Sequence, residues 1–197
     1  MDRHRVAGTG SVEWARLVRE VEGCTRCPLS RTRTHTVVYR GGATPSILFI
    51  GEAPGRDEDR QGVPFVGRAG TRLDRAIDAV GLRTDEFGIV NLLKCRPPAN
   101  RFDRRAAATC RPYLDRQIDL LGPERLVTLG SHALHALDPT APPITVAAGA
   151  PRTALGRPLF PLLHPAAVAH APRYRERWTS DVTRLGEWLS VPLAQTL

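Results

Sequence analysis

The sequence predicts an α/β fold, a single three-layer α/β/α domain around a mainly parallel four-stranded sheet. Three observations lead there. Helical and extended patterns alternate along the chain. The extended segments are continuous apolar runs such as Ile47-Leu48-Phe49-Ile50, as in strands buried on both faces. The 197 residues suffice for one domain with a substantial core, and they show no internal repeat.

Residues 1–10 are expected to form a disordered tail and residues 11–197 the domain. Ser11 can cap a first helix whose Trp14, Leu17, Val18 and Val21 recur at helical spacing, with Gly23 ending it. Residues 28–45 hold Pro28, Gly41, Gly42 and Pro45 and read as irregular chain. The first strand, 47–50, runs into Gly51-Glu52-Ala53-Pro54-Gly55, followed by a loop and a helix over 68–80 carrying Leu73, Ile77 and Val80. The second strand covers 87–93, with Asn91 late in it. Asp103 can cap a helix to 121 that carries Cys110. A third strand, 125–129, feeds a short helix over 131–137, and a fourth, 159–163, ends at His164-Pro165. A last helix spans 173–189, with Trp178, Val182, Leu185 and Leu189 on one face. Ligands of open parallel sheets bind outside the carboxyl ends of the strands. Each polar motif here follows a strand, so all are expected along one edge.

The formal net charge is +8, and Lys94 is the only lysine among 28 basic residues. Such a field favours nucleic acid or another polyanion, although an arginine bias of composition also produces it. No apolar stretch opens the chain and none is long enough to span a bilayer, so a cytoplasmic protein that does not enter membranes is expected. In that setting four cysteines point to metal rather than disulfides. They are Cys24, Cys27, Cys95 and Cys110, spaced C-x2-C and C-x14-C with 67 residues between the pairs. A set of four thiols with none left over suits one tetrahedral or cluster site.

In Gly51-Glu-Ala-Pro-Gly-Arg-Asp-Glu-Asp59 the backbone can turn sharply with its N–H groups exposed. Glu52, directly after a buried strand, can orient or deprotonate water; Asp57, Glu58 and Asp59 read as readily as a solvated acidic loop. Phe65, between Pro64 and Gly67, suits a base-stacking platform or a core. Asn91 offers a donor and an acceptor, which match the N3–H and O4 of uracil; capping a turn is its other use. Pro165 restricts His164 to extended conformations and so aims its imidazole. Segments 94–101 and 173–177 add charge on loops near the same edge, or are solvated surface. Ser131 begins a helix and suits a phosphate.

With these segments in this order, the chain resembles the family 4 uracil-DNA glycosylases, the iron–sulfur branch of the uracil-DNA glycosylase superfamily. The resemblance runs from Cys24 to Leu189 and rests on GEAPGRDED, GVPFVGRAG, NLLKCRPPANR, CRPYL, VTLGS and HPAA together with the cysteine spacing. It implies that the four cysteines hold a structural [4Fe–4S] cluster, zinc being the alternative that spacing leaves open, and that the cluster stiffens residues 96–109. It implies that Glu52, within the motif of Gly51 and Ala53, positions water, and that Asp59 supports it. Glu58 would crowd the C5 edge of the base, Phe65 would stack on uracil, Asn91 would read its polar edge and His164 would donate to O2. Contacts to DNA are expected from Ser131, Arg101, His170 and Arg173, with Ala166 to Arg173 as an inserting loop that lacks a large wedge.

The expected substrate is uracil in DNA, single-stranded or in U·G or U·A duplex, handled by a monomer. Flipping, hydrolysis of the glycosidic bond and release of an abasic site follow. Lys94, in the cysteine loop, is the one candidate for a Schiff base, so a monofunctional enzyme without strand cleavage is expected. The segment 96–109 has no histidine, so covalent trapping on DNA is not expected. Two other readings compete. A non-catalytic cluster-stabilised nucleic-acid-binding module would not need Glu52, Asn91 and His164 together. A nucleotide or phosphate hydrolase lacks support, since there is no G-x4-G-K-[ST] segment.

Overall fold

The structure, a computed structural model, describes residues 11–195; the expected tail over 1–10 lies outside them. In chain order its elements are α1 (Val12–Glu22), β1 (Arg40–Gly41), β2 (Ile47–Gly51), α2 (Arg56–Gln61), α3 (Arg68–Ala79), β3 (Phe87–Asn91) and α4 (Arg104–Leu121). There follow β4 (Arg125–Leu129), α5 (Ser131–Leu137), α6 (Ile144–Ala147), β5 (Arg152–Ala154), β6 (Arg157–Leu162), α7 (Pro165–His170) and α8 (Arg175–Ser190), with short 3-10 turns between.

The sheet has six strands, in the order β1-β3-β2-β4-β6-β5. Its four central strands run parallel and are the four apolar runs. The expected four-stranded sheet is therefore corrected to six. β1 pairs antiparallel with β3, and β5 with β6, one at each edge. Segments of two and three residues carry no apolar run, so pairing alone defines them.

The central strands alternate between two cores. Leu48, Ile50, Val90, Leu126 and Leu159 meet α1, α4 and α5 on one face. Ile47, Phe49, Ile89, Val127 and Phe160 meet α3 and α8 on the other. Both faces are covered, which is why these strands read as unbroken apolar runs. No helix among the described residues is long and apolar enough to cross a membrane.

Two expected loops are helical. In α2, Glu58 lies at the third helical position and its Oε2 accepts the Gly55 N–H at 3.1 Å, while Asp57 and Asp59 share a first turn that favours negative charge. In α7, Pro165 takes the first helical position and His164 is the cap, its Nδ1 accepting the Ala166 N–H at 3.2 Å. α4 begins as expected, with Asp103 Oδ1 accepting from Arg105 N and Ala106 N.

Candidate active site

The parallel strands bring Gly51, Asn91, Leu129 and Leu162, their last residues, to one edge. A cavity of about 380 Å3 opens there, lined by Glu52, Ala53, Glu58, Phe65, Asn91 and His164 together with flanking backbone. These six are among the residues expected to meet a base and its sugar, Gly51 and Asp59 being the two that do not line it, and they come from segments more than 100 positions apart in the sequence.

Each wall of the cavity is held by identifiable contacts. Asn91 is 1% exposed, and its Oδ1 is buried without a hydrogen-bond partner among the described residues. Leaving such an acceptor unmade costs about 1–3 kcal/mol, so a ligand that satisfies it is favoured. The backbone carbonyl of Asn91 accepts a hydrogen bond from Lys94 Nζ. Phe65 is buried with φ of +55°, a left-handed conformation that is strained for an aromatic residue. Arg40 Nη1 donates to its carbonyl at 2.7 Å. Helix α3 passes so close that a Cβ at Gly70 would stand 1.8 Å from the same oxygen. Glu58 Oε1 accepts from Val66 N and Gly67 N, both at 2.9 Å, so one carboxylate ties the loop behind Phe65 to Gly55.

The imidazole of His164 stands 5.9 Å from the Phe65 ring, centroid to centroid. Burial pushes its pKa below 6.5, partly offset by the carboxylates of Glu52 and Glu58. A neutral ring whose Nδ1 accepts the Ala166 N–H must carry its hydrogen on Nε2. His164 is thus a fixed donor that carries no charge at neutral pH.

Glu52 is held by a residue that the sequence did not single out. His132, in the first turn of α5, places Nδ1 2.7 Å from Glu52 Oε2, and Phe102 stacks on the His132 ring at 3.9 Å. The one signal for His132 was its place three residues beyond the end of a parallel strand. Arg40 was missed as well, having read as part of irregular chain.

Other expected site residues stand elsewhere. Asp59 does not line the cavity: its Oδ1 accepts from Thr34 N at 2.9 Å, which makes it a tie to the segment ahead of β1. Ser131 is exposed and lines a neighbouring cavity of about 540 Å3 with Phe102 and His132. Arg101 is exposed just after Asn100, which lines the cavity at the strand ends. Arg173 is exposed, with its guanidinium over the Tyr174 ring. The side chain of His170 lies outside the described residues. Lys94 adds no charge to the surface: it is 1% exposed, and burial pushes its pKa down to about 8. Val168, in the expected inserting loop, is buried at 2% exposure.

The expected [4Fe–4S] cluster is a correction, as is zinc in its place. Among the described residues, no three His, Cys, Asp or Glu side chains are grouped so that they could hold a metal ion. Cys24, Cys27, Cys95 and Cys110 are free thiols that border one small cavity. Cys27 and Cys95 pack with Leu29, Leu93 and Ala106, and Cys24 and Cys110 against the core under α1 and α4. Burial pushes the thiols of Cys95 and Cys110 up, and a protonated thiol is a small apolar side chain rather than a ligand. Residues 96–109 are held instead by Arg96 Nε on Asn100 Oδ1 at 2.9 Å and by the Asp103 cap.

Comparison with known proteins finds a family and several relatives. The family model described as the uracil DNA glycosylase superfamily matches residues 38–183. The type-4 uracil-DNA glycosylase of Archaeoglobus fulgidus is 38% identical over 180 residues, 87% of this chain and 90% of the relative. That of Sulfurisphaera tokodaii is 36% identical over 192 residues, 92% of this chain and 87% of the relative. That of Thermotoga maritima is 40% identical over 149 residues, 74% and 78%. Likeness of this extent, running through every strand that feeds the cavity, makes the chain a member of the uracil DNA glycosylase superfamily, in its type-4 family.

Proposed function

We propose that this chain excises uracil from DNA by hydrolysing its N-glycosidic bond, and that Glu52, Asn91, Phe65 and His164 do the work. Membership in the family supports the activity. The observation that carries the residue assignment is the buried Oδ1 of Asn91, unpartnered among the described residues in a cavity that the Phe65 ring and the His164 imidazole also line. A uracil edge supplies what that amide lacks: N3–H donates to Oδ1 and O4 accepts from Nδ2. Cytosine presents N3 as a bare acceptor and would leave Oδ1 unmatched there.

The target nucleotide leaves the helix at a cost of a few kcal/mol, less from a mismatch or a single strand. Phe65 stacks on the flipped base. As the C1′–N1 bond breaks, negative charge grows on the base and positive charge on the sugar. His164 Nε2–H donates to O2, while the Glu52 carboxylate faces the sugar and orients the attacking water. Both interactions strengthen towards the transition state and so act on rate rather than on binding alone. Lys94 is buried behind Asn91, away from the sugar, so no Schiff base forms and the product is an intact abasic strand.

Residues 11–197 act as one domain and as a monomer in this proposal. The net charge of +8 draws DNA to the rim, where Arg101, Ser131 and Arg173 are exposed and His170 ends α7. The test is an oligonucleotide carrying uracil single-stranded, in U·G and in U·A, treated with the protein and then with hot alkali. Cleavage at the uracil is expected in all three, lost in Glu52→Ala and His164→Ala while DNA binding persists. No cleavage in any context would leave a DNA-binding module. Wild-type cleavage by both variants would refute the residue assignment.

A further inference from the structure

We infer that His132 is a positioning residue for Glu52, fixing one carboxylate oxygen so that the other faces the sugar and its attacking water. The inference rests on the assignment of Glu52 as the water-orienting carboxylate.

Three elements meet at this clamp. Glu52 leaves the end of β2, His132 stands in the first turn of α5, and Phe102 lies just ahead of α4. His132 Nδ1 and Glu52 Oε2 are 2.7 Å apart, and no other hydrogen bond to that carboxylate is made among the described residues. An ionised carboxylate only accepts, so Nδ1 carries the hydrogen. Phe102 covers the imidazole face at 3.9 Å with 15° between the planes, which sets the ring's rotation. Buried Ala133 and Leu134 anchor the backbone beneath it.

Stability gives a poor account of this arrangement. The two side chains are 38% and 29% exposed, and ion pairs open to water to that degree contribute little. Catalysis gives a better one. A glutamate on a flexible stem samples several rotamers, and one held carboxylate oxygen removes that search before each turnover. The partner's chemistry matters too. A single imidazole N–H holds one carboxylate oxygen and leaves the other open towards the sugar. An arginine in the same place, with its forked donors, could engage both oxygens.

The test compares single-turnover excision of uracil from an oligonucleotide by wild type, H132L, H132N, H132Q and E52A, and by E52A combined with H132L. H132L should slow the chemical step about tenfold to a hundredfold, with KM within about twofold. H132N, whose amide N–H can stand where Nδ1–H stands, should recover to within about threefold, and H132Q should not. In the E52A background, H132L should cost less than about twofold more, because its target is already gone. The inference is overturned by a wild-type rate in H132L, by a loss carried in KM, or by an undiminished loss in the E52A background. If H132L loses its cooperative melt, equal rates in H132N and H132Q overturn it instead. Wild-type excision by E52A would mean that the assignment of Glu52 has failed, an outcome separate from any result with His132.

Discussion

Gly51 and Asn91 sit opposite each other on the β2–β3 ladder, and a methyl group on Gly51 would lie 2.4 Å from Asn91 Oδ1 and 2.6 Å from Phe65 Cε2. The absence of a side chain at the end of one strand is thus what lets the amide and the ring that line the cavity stand where they do. Gly51→Ala should displace both. We expect excision to fall more than about a hundredfold and stability to drop by about 1–3 kcal/mol. Single-turnover rates and a denaturant melt check this, and an alanine variant with wild-type rates would show that neither group needs its present place.

Asn91 should trade stability against activity. Its buried Oδ1 is unpartnered in the free protein, so Asn91→Leu removes an unmet acceptor from an apolar setting. Folding stability should stay level or rise by up to about 2 kcal/mol, while uracil excision falls at least about a hundredfold. A leucine variant that is strongly destabilised would show that the amide serves the fold instead.

Glu58 should matter through the loop it holds. Its carboxylate accepts three backbone N–H groups, from Gly55, Val66 and Gly67. Glu58→Ala leaves those donors without their partner, costs about 2–3 kcal/mol and loosens Phe65. The variant should show a lower melting temperature and weaker binding of uracil-containing DNA together. Wild-type melting would contradict the clamp.

His164 should titrate below pH 6.5, because burial outweighs the pull of Glu52 and Glu58. An unfolded histidine takes its proton near pH 6.5, the folded one only at lower pH. The stability this confers is therefore complete above about pH 6.5 and is lost as pH falls through the folded value. His164→Gln should flatten that slope. Nitrogen-detected NMR should find the Nε2–H tautomer at pH 7; a ring titrating at or above 6.5 would remove the neutral donor from the mechanism.

Context should order the substrates. Val168 is buried in α7, so among the described side chains of the segment after His164 it is not free to fill a vacated stack. Single-stranded uracil should be excised fastest, U·G next and U·A slowest, following the cost of extrusion. Competition between labelled oligonucleotides checks the order, and a preference for U·A would reveal a wedge elsewhere.

Much of this molecule was legible along the chain because the relevant signals are local. Runs such as 47–50 and 125–129 are apolar at every position only when both sheet faces are covered. Glu52, Asn91 and His164 could be picked out because each follows such a run, and parallel strands deliver their ends to one edge. Helix α2 hid behind its acidic content, although the glutamate three positions beyond Gly55 was a capping signal. The edge strands at 40–41 and 152–154 exist only through their partners.

The cysteine spacing misled for a related reason. It records positions along the chain, and whether four sulfurs ligate or pack is set by the surfaces around them. The clamp on Glu52 has the same origin: residues 52, 102 and 132 carry no shared motif and meet only because the end of β2, the approach to α4 and the first turn of α5 close over one strand edge. Periodicity and turn chemistry act over a few residues and settle elements, their order and the edge on which chemistry collects. Contacts across eighty residues depend on how whole layers pack, and it was packing that left Asn91 Oδ1 unmatched, bent Phe65 into a left-handed conformation and gave Glu52 its partner.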